Sequence, residues 1–146
     1  MPDENASKLA WRVTQRLMDT EGTADSWNLI LEEAGEGHAR VRMTVRADML
    51  NGHRTAHGGM IFALADSAFA YACNSRNEMT VAQQASILFL SPAAEGDVLI
   101  AEAREDARAG RSGSYSVAVR TDDGRPIAQF QGLSRTTGGS VLFKQE

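Results

Sequence analysis

Apolar residues recur at helical spacing over 5–19, through Ala6, Leu9, Ala10, Val13 and Leu17. The chain is therefore expected to open on a short amphipathic helix, with Asp3 or Asn5 as its N-cap and Gly22 just beyond its end. The period then changes to two. Residues 27–34 and 38–46 read as strands joined by a Gly35-Glu36-Gly37 turn. The second strand alternates through Ala39, Val41, Met43 and Val45, which implies one buried face. From 60 to 73 the alternation gives way to a run in which every residue is apolar or small except Asp66 and Ser67, predicting a helix covered on nearly all sides. Four further extended runs follow at 81–90, 98–107, 114–121 and 127–135. Ser91-Pro92, Glu95-Gly96-Asp97, Ala109-Gly110 and Asp122-Asp123-Gly124 punctuate them, and gaps this short favour antiparallel neighbours over crossovers.

The predicted order is thus helix, two strands, one buried helix, four strands. A single apolar helix among antiparallel strands can hide its surface only if the sheet curls around it. The expected class is therefore α+β with a hotdog fold: an antiparallel sheet wrapped around one central helix, and a short N-terminal helix within 1–22. Such a sheet leaves its edge strands and part of the helix uncovered, so edge-to-edge pairing with a second copy is the expected remedy. One domain is expected over 1–146, because a chain of this length buries about two thirds of its unfolded surface in a single core. Residues 136–146 read as a flexible tail.

Charge and cysteine usage narrow the function classes. The net charge is -4 and no block of Lys and Arg stands apart, which argues against nucleic acid as a partner, since phosphate contacts dominate that affinity. An anionic small molecule needs only two or three arginines. Arg104, Arg108 and Arg111 are candidates for that role, or else form a solvated strand edge. Cys73 is the single cysteine, so no internal disulfide forms, and the first residues lack the basic and apolar regions of a signal peptide. A cytoplasmic protein is expected. No membrane contact is expected either, since the 60–73 run falls short of the roughly 20 residues of a spanning helix and contains Asp66.

Asp66 is the chemical oddity. A carboxylate in an apolar helix must be paired, hydrogen-bonded or shifted in pKa, and that makes it the leading candidate for a working group. Gly58 and Gly59 stand where the helix begins, where unpaired N–H groups and partial positive charge suit a developing oxyanion; alternatively they only permit a tight turn. Eight residues separate Gly58 from Asp66, roughly 12 Å along a helix axis. One carbonyl cannot bridge that, so if both act on one carbon they must come from different protomers, with two central helices antiparallel across a dimer interface.

Other chemistries are set aside. His53 and His57 flank a loop and His38 sits in a distant strand without a carboxylate in register, so no metal is expected. Cys73 has no nearby His and reads as a packing residue. There is no G-x-S-x-G elbow and no phosphate-cradling P-loop. Met60, beside the double glycine, is a candidate for a substrate pocket by position. Phe62, Phe69, Tyr71 and Phe89 are candidates too, but core packing explains them at least as well.

Asn51, the His57-Gly58-Gly59 triplet and Asp66, in this spacing, resemble the hotdog-fold acyl-CoA thioesterases. The N-G-H…H-G-G…F-x-L-A-D-x-A-F-A-Y-A-C-N stretch is similar to the PaaI-type thioesterases of phenylacetate degradation, and similarity continues through Phe89-Leu90-Ser91-Pro92 and Gly138-Gly139. The resemblance implies hydrolysis of aryl-acyl-CoA esters, phenylacetyl-CoA and hydroxyphenylacetyl-CoA foremost, without a cofactor. It also implies a homo-oligomer: a dimer that completes the site, and a tetramer built as a dimer of dimers. By the same resemblance the Gly58 amide polarises the thioester carbonyl, and Asp66 of the facing protomer acts as general base or nucleophile. Asn51 orients water or carboxylate, and His57 holds the loop beside the substrate. Gly59, Met60 and Ser67 lie around the substrate, while Arg111, Ser112, Gly113 and Arg135 are the candidate grips on CoA phosphate.

The chain also departs from the pattern. Ala70 stands where some relatives carry a hydroxyl one turn after the carboxylate, which leaves Asn51 or Ser67 to hold water. Ser91 and the Arg135-Thr136 pair replace basic residues of close relatives. Two rival readings are a non-catalytic acyl-CoA-binding hotdog protein and a hotdog enoyl-CoA hydratase, the latter needing a His beside its carboxylate.

Overall fold

Of the two N-cap candidates it is Asp3 that caps the first helix, its carboxylate accepting the Asn5 N–H at 2.9 Å, and α1 spans Glu4–Thr20. The computed structural model describes residues 3–143. A second short helix, α2 (Gly22–Ser26), occupies the approach to the first strand; Trp27 caps it and Asn28 takes a positive φ of 51°. Strand β1 therefore begins at Ile30 and not at Trp27, and pairs over Ile30–Gly35 with β2 (His38–Thr44). A 3-10 turn at Ala47–Met49 and an irregular loop lead to the central helix α3 (Gly58–Cys73). Strands β3 (Thr80–Phe89), β4 (Val98–Ala109), β5 (Ser112–Thr121) and β6 (Pro126–Thr136) complete the chain.

All pairings are antiparallel, in the order β1-β2-β4-β5-β6-β3. Chain neighbours pair within β1-β2 and β4-β5-β6, as short turns dictate. They do not pair at β3-β4. Strand β3 lies at the far edge beside β6, and residues 90–97 carry the chain back to β4 beside β2. This corrects the expectation that short gaps join sheet neighbours, and the cause is α3, which crosses the concave face and delivers the chain to the opposite edge. The helix touches all six strands, so the sheet wraps it in the hotdog manner.

The core lies between that helix and the concave face. Ile61, Leu64, Ala65, Ala68 and Phe69 of α3 meet Ala39, Val41 and Met43 of β2, Leu99, Ala101 and Ala103 of β4, and Val117 and Phe130 of β5 and β6. Phe69 packs edge-on to Tyr115 with ring centroids 5.4 Å apart, and also against Phe130 at 5.8 Å. Gly132 of β6 makes room for it, since a Cβ there would sit 2.7 Å from the Phe69 ring. Gly132→Ala is expected to lower the free energy of unfolding by about 1–3 kcal/mol through overpacking, read as a shift in the urea midpoint at constant slope.

Coverage of α3 is less complete than its composition predicts. Gly59 is exposed and Ala63, Asp66, Ser67 and Ala70 are only half-buried. These positions recur at helical spacing, so they form one stripe that the chain's own sheet does not reach. Strand β3 flanks it, with no partner strand on its outer edge among the described residues, and Val81, Leu88, Phe89 and Leu90 are exposed.

The stretch from 136, expected as a flexible tail, is tied down as far as it is described. Thr136 closes β6, the Thr137 N–H donates to the Met79 carbonyl, the Met79 N–H donates to Gly139, and the Leu142 N–H donates to Asn77 Oδ1. The Arg16 guanidinium lies 5.8 Å from the centre of the Phe143 ring. Residues 144–146 lie outside the described residues. No described helix is long and apolar enough to cross a membrane.

Candidate active site

The N-terminus of α3 leaves one amide free. Its N-cap His57 turns Nδ1 to accept the Gly59 N–H at 2.9 Å, and the His57 carbonyl accepts the Met60 and Ile61 N–H groups at 2.9 and 3.2 Å. Of the four donors a helix start leaves unpaired, that of Gly58 alone has no acceptor among the described residues. It borders a cavity of about 360 Å³ lined by Asn51, Thr55, Ile61, Phe89 and Pro92. The adjacent glycines thus differ in role. A Cβ on Gly58 would lie 3.0 Å from Phe89 Cζ, so the ring of β3 approaches this backbone more closely than a side chain comfortably allows.

The preceding loop is held by its own polar groups. Asn51 Oδ1 accepts from the N–H groups of His53 and Thr55, and Asn51 Nδ2 donates to Thr55 Oγ1 at 3.1 Å. The His57 N–H donates to Met49 and the Ala56 N–H to Ala93, both at 2.8 Å. Asn51 therefore fixes the path into His57, and one Nδ2 hydrogen remains for a water or carboxylate. Thr55 is the partner that sequence reasoning missed. An Asn followed by Thr in a Gly-containing loop is the signal for such a side-chain-to-backbone turn.

Asp66 sits two turns along α3, half-buried, with no hydrogen bond or ion pair among the described residues. Burial alone pushes its pKa above the usual carboxylate range. A desolvated carboxylate without a cation beside it is a stronger base than one in water. Ser67 beside it donates its hydroxyl to the Ala63 carbonyl at 2.8 Å and so offers a water only acceptor lone pairs. Met60 is half-buried against the core.

The candidate phosphate grips do come together, though far from Gly58. Ser112 and Arg135 are register partners on β5 and β6, the Thr136 N–H donates to the Arg111 carbonyl, and Gly113 follows, packed against Ser134 and Tyr115. Arg135 also pairs with Val81 at the start of β3, whereas Gly58 faces Phe89 at its end. Those two ends are about 26 Å apart along the strand. Arg104 and Arg108 are already engaged, with Glu102 at 3.2 Å and Glu78 at 3.2 Å.

Remaining candidates resolve into structure. His38 does find carboxylates, Glu102 at 3.0 Å and Glu33 at 3.7 Å, because β4 pairs beside β2 and brings Glu102 across. Arg40 joins the same network. No group of three metal-ligating side chains gathers among the described residues. The Cys73 thiol is buried and pushed up to about 12, which makes it inert at neutral pH.

Residues 53–128 match the thioesterase superfamily. The chain is similar to the acyl-coenzyme A thioesterase PaaI of Escherichia coli (strain K12), 38% identical over 135 residues that cover 92% of this chain and 96% of that protein. The structure of E. coli PaaI, from the phenylacetic acid degradation operon, matches with a TM-score of 0.90 over 92% of this chain and 97% of the other. A hypothetical thioesterase protein of Streptococcus pneumoniae TIGR4, solved with coenzyme A, matches with a TM-score of 0.75 at 26% identity, covering 77% of this chain and 91% of that one.

Proposed function

The chain belongs to the thioesterase superfamily, and from that premise we propose that it hydrolyses acyl-CoA thioesters, preferring phenylacetyl-CoA and its ring-hydroxylated forms. One observation carries the mechanism: among the described residues a single free amide, Gly58 N–H, starts the same helix on whose uncovered face Asp66 stands without a partner. Each group is half of a site. A helix rise of roughly 12 Å keeps them apart within one chain, and an antiparallel pairing of two α3 helices would set Gly58 against Asp66 of the partner subunit.

The uncovered stripe on α3 is flanked by the exposed edge of β3, so one pairing would bury both. With β3 edges antiparallel about their middle, the Val81 end of one copy lies beside the Phe89 end of the other. Arg111 and Arg135 would then reach the neighbourhood of the opposite Gly58, where guanidinium groups suit the phosphates of CoA.

In that arrangement the Gly58 N–H takes up charge on the carbonyl oxygen as the tetrahedral carbon forms. Asp66 either removes a proton from the attacking water or attacks the carbonyl carbon itself to give an anhydride that water then opens. The C–S bond breaks in both routes, and the sulfur leaves as thiolate. Both routes require Asp66 ionised. A hydratase would instead need an imidazole beside its carboxylate, yet His57 Nδ1 is spent on Gly59.

The shared site is tested by mixing two inactive variants. Gly58→Pro and Asp66→Asn are each expected to be nearly inactive alone. Co-refolded in equal amounts they should recover about a quarter of wild-type thiol release, because half the dimers are mixed and each mixed dimer has one intact site. No recovery despite mixed dimers would place both groups of a site in one chain.

A further inference from the structure

Gly58 is helical and does not take a positive φ, so its backbone does not call for glycine. What excludes a side chain there is Phe89. The Cζ, Cε1 and Cε2 atoms of its ring lie 3.0, 3.4 and 3.6 Å from the place a Gly58 Cβ would take, so the tip of the ring fills the notch that the missing side chain leaves. The ring and Gly58 border the same cavity of about 360 Å³.

A well-anchored stretch of backbone delivers the ring. Phe89 pairs with Ala128 of β6, and the Leu90 and Ser91 N–H groups both donate to the Ile127 carbonyl, at 2.8 and 3.3 Å. Strand alternation puts Phe89 on the face of Ala85 and Ile87, which pack against the core. Yet Phe89 ends its strand and is 54% exposed, so core packing accounts for only part of its placement. Its close approach is to the one residue of the helix start whose N–H has no acceptor among the described residues.

An oxyanion donor works best when it is fixed in advance and kept from water. Glycine has no side chain with which to anchor itself, and the Phe89 ring supplies that anchor from another element while covering one side of the residue with hydrocarbon. We propose that Phe89 is a positioning residue for the reaction: its ring seats Gly58 so that the amide meets the carbonyl oxygen of the thioester in a fixed place. The proposal rests on the reading of Gly58 N–H as the oxyanion donor. Because Phe89 acts through that amide, its removal should slow the chemical step and leave binding nearly unchanged.

The test is a double-mutant cycle on thiol release from phenylacetyl-CoA, with every variant shown by sedimentation to keep the wild-type oligomeric state and assayed below its Tm. Phe89→Ala is expected to lower kcat by about 10- to 100-fold, the cost of a reacting group misplaced by up to an ångström, while KM stays within about 3-fold. Phe89→Leu, which keeps hydrocarbon against Gly58, should return kcat to within about 5-fold of wild type. In the Gly58→Pro background the amide is already gone, and there Phe89→Ala should cost less than about 2-fold more. A further measurement needs no truncation to alanine: Gly58→Ala crowds the ring, so adding Phe89→Leu to it should raise kcat by about 3-fold or more through the room regained. Wild-type kcat in Phe89→Ala, a loss carried by KM, an undiminished loss in the Gly58→Pro background, or no gain from Phe89→Leu beside Gly58→Ala overturns the proposal. A slow Gly58→Pro beside a fast Phe89→Ala strikes Phe89 alone. Equal rates in Gly58→Pro and Gly58→Ala defeat the oxyanion reading, and the role of Phe89 falls with it.

Discussion

Asp66→Asn is expected to fold, dimerise and release thiol from phenylacetyl-CoA at least about 10²- to 10⁴-fold more slowly than wild type, the range for a positioned base. No partner is broken by the change, because Asp66 has none among the described residues. Stability should move the other way. The folded carboxyl has a raised pKa, so the folded state holds its proton more tightly than the unfolded chain. Stability from this group is therefore full at low pH. It is lost as pH rises from the ordinary aspartate range through the raised value, and stays lost above it. The variant escapes that loss, so the difference in Tm in its favour should grow across this window and then level off. Wild-type activity should rise with pH over the same interval as Asp66 ionises. A variant less stable than wild type at neutral pH would reveal an anchoring role for Asp66 and remove it from the mechanism.

The second large effect separates the Gly58 amide from the space around it. Gly58→Pro deletes the N–H at the first helical position, which tolerates proline. The preceding His57, at φ -61° and ψ 133°, is already in the extended conformation that a following proline requires. Gly58→Ala keeps the N–H but adds the same first carbon, 3.0 Å from Phe89. Comparing the two cancels the crowding. The proline variant is expected to be slower than the alanine variant in kcat by about 10²- to 10³-fold, the cost of one oxyanion donor. Equal rates would mean that the amide carries no charge in the rate-limiting step.

The two residues at the centre of both experiments were legible in different degrees. Asp66 stands out from sequence because a charged residue in an apolar run is a local anomaly. Gly58 and Gly59 look alike in sequence. They part only when the hydrogen bonds of the helix start are counted, and His57 Nδ1 takes one of the two amides. Asn51 reads from sequence as a group aimed at water, and only the structure shows that its oxygen holds the His53 and Thr55 amides. Arg111 and Arg135 read as grips on the nucleotide, yet their distance from Gly58 emerges only from the strand order.

By itself the sequence determined the two long helices and the six strands, the wrapped architecture, and the presence of one anomalous carboxylate. These follow from periodicity and turn chemistry, which act over a few residues. Tertiary structure decided the crossing that puts β3 at the outer edge, the stripe of α3 that the sheet fails to reach, and the meeting of Glu21 with Tyr71. Those depend on which distant segments share space, and hydrogen-bond partners fifty residues apart leave no trace in a local pattern.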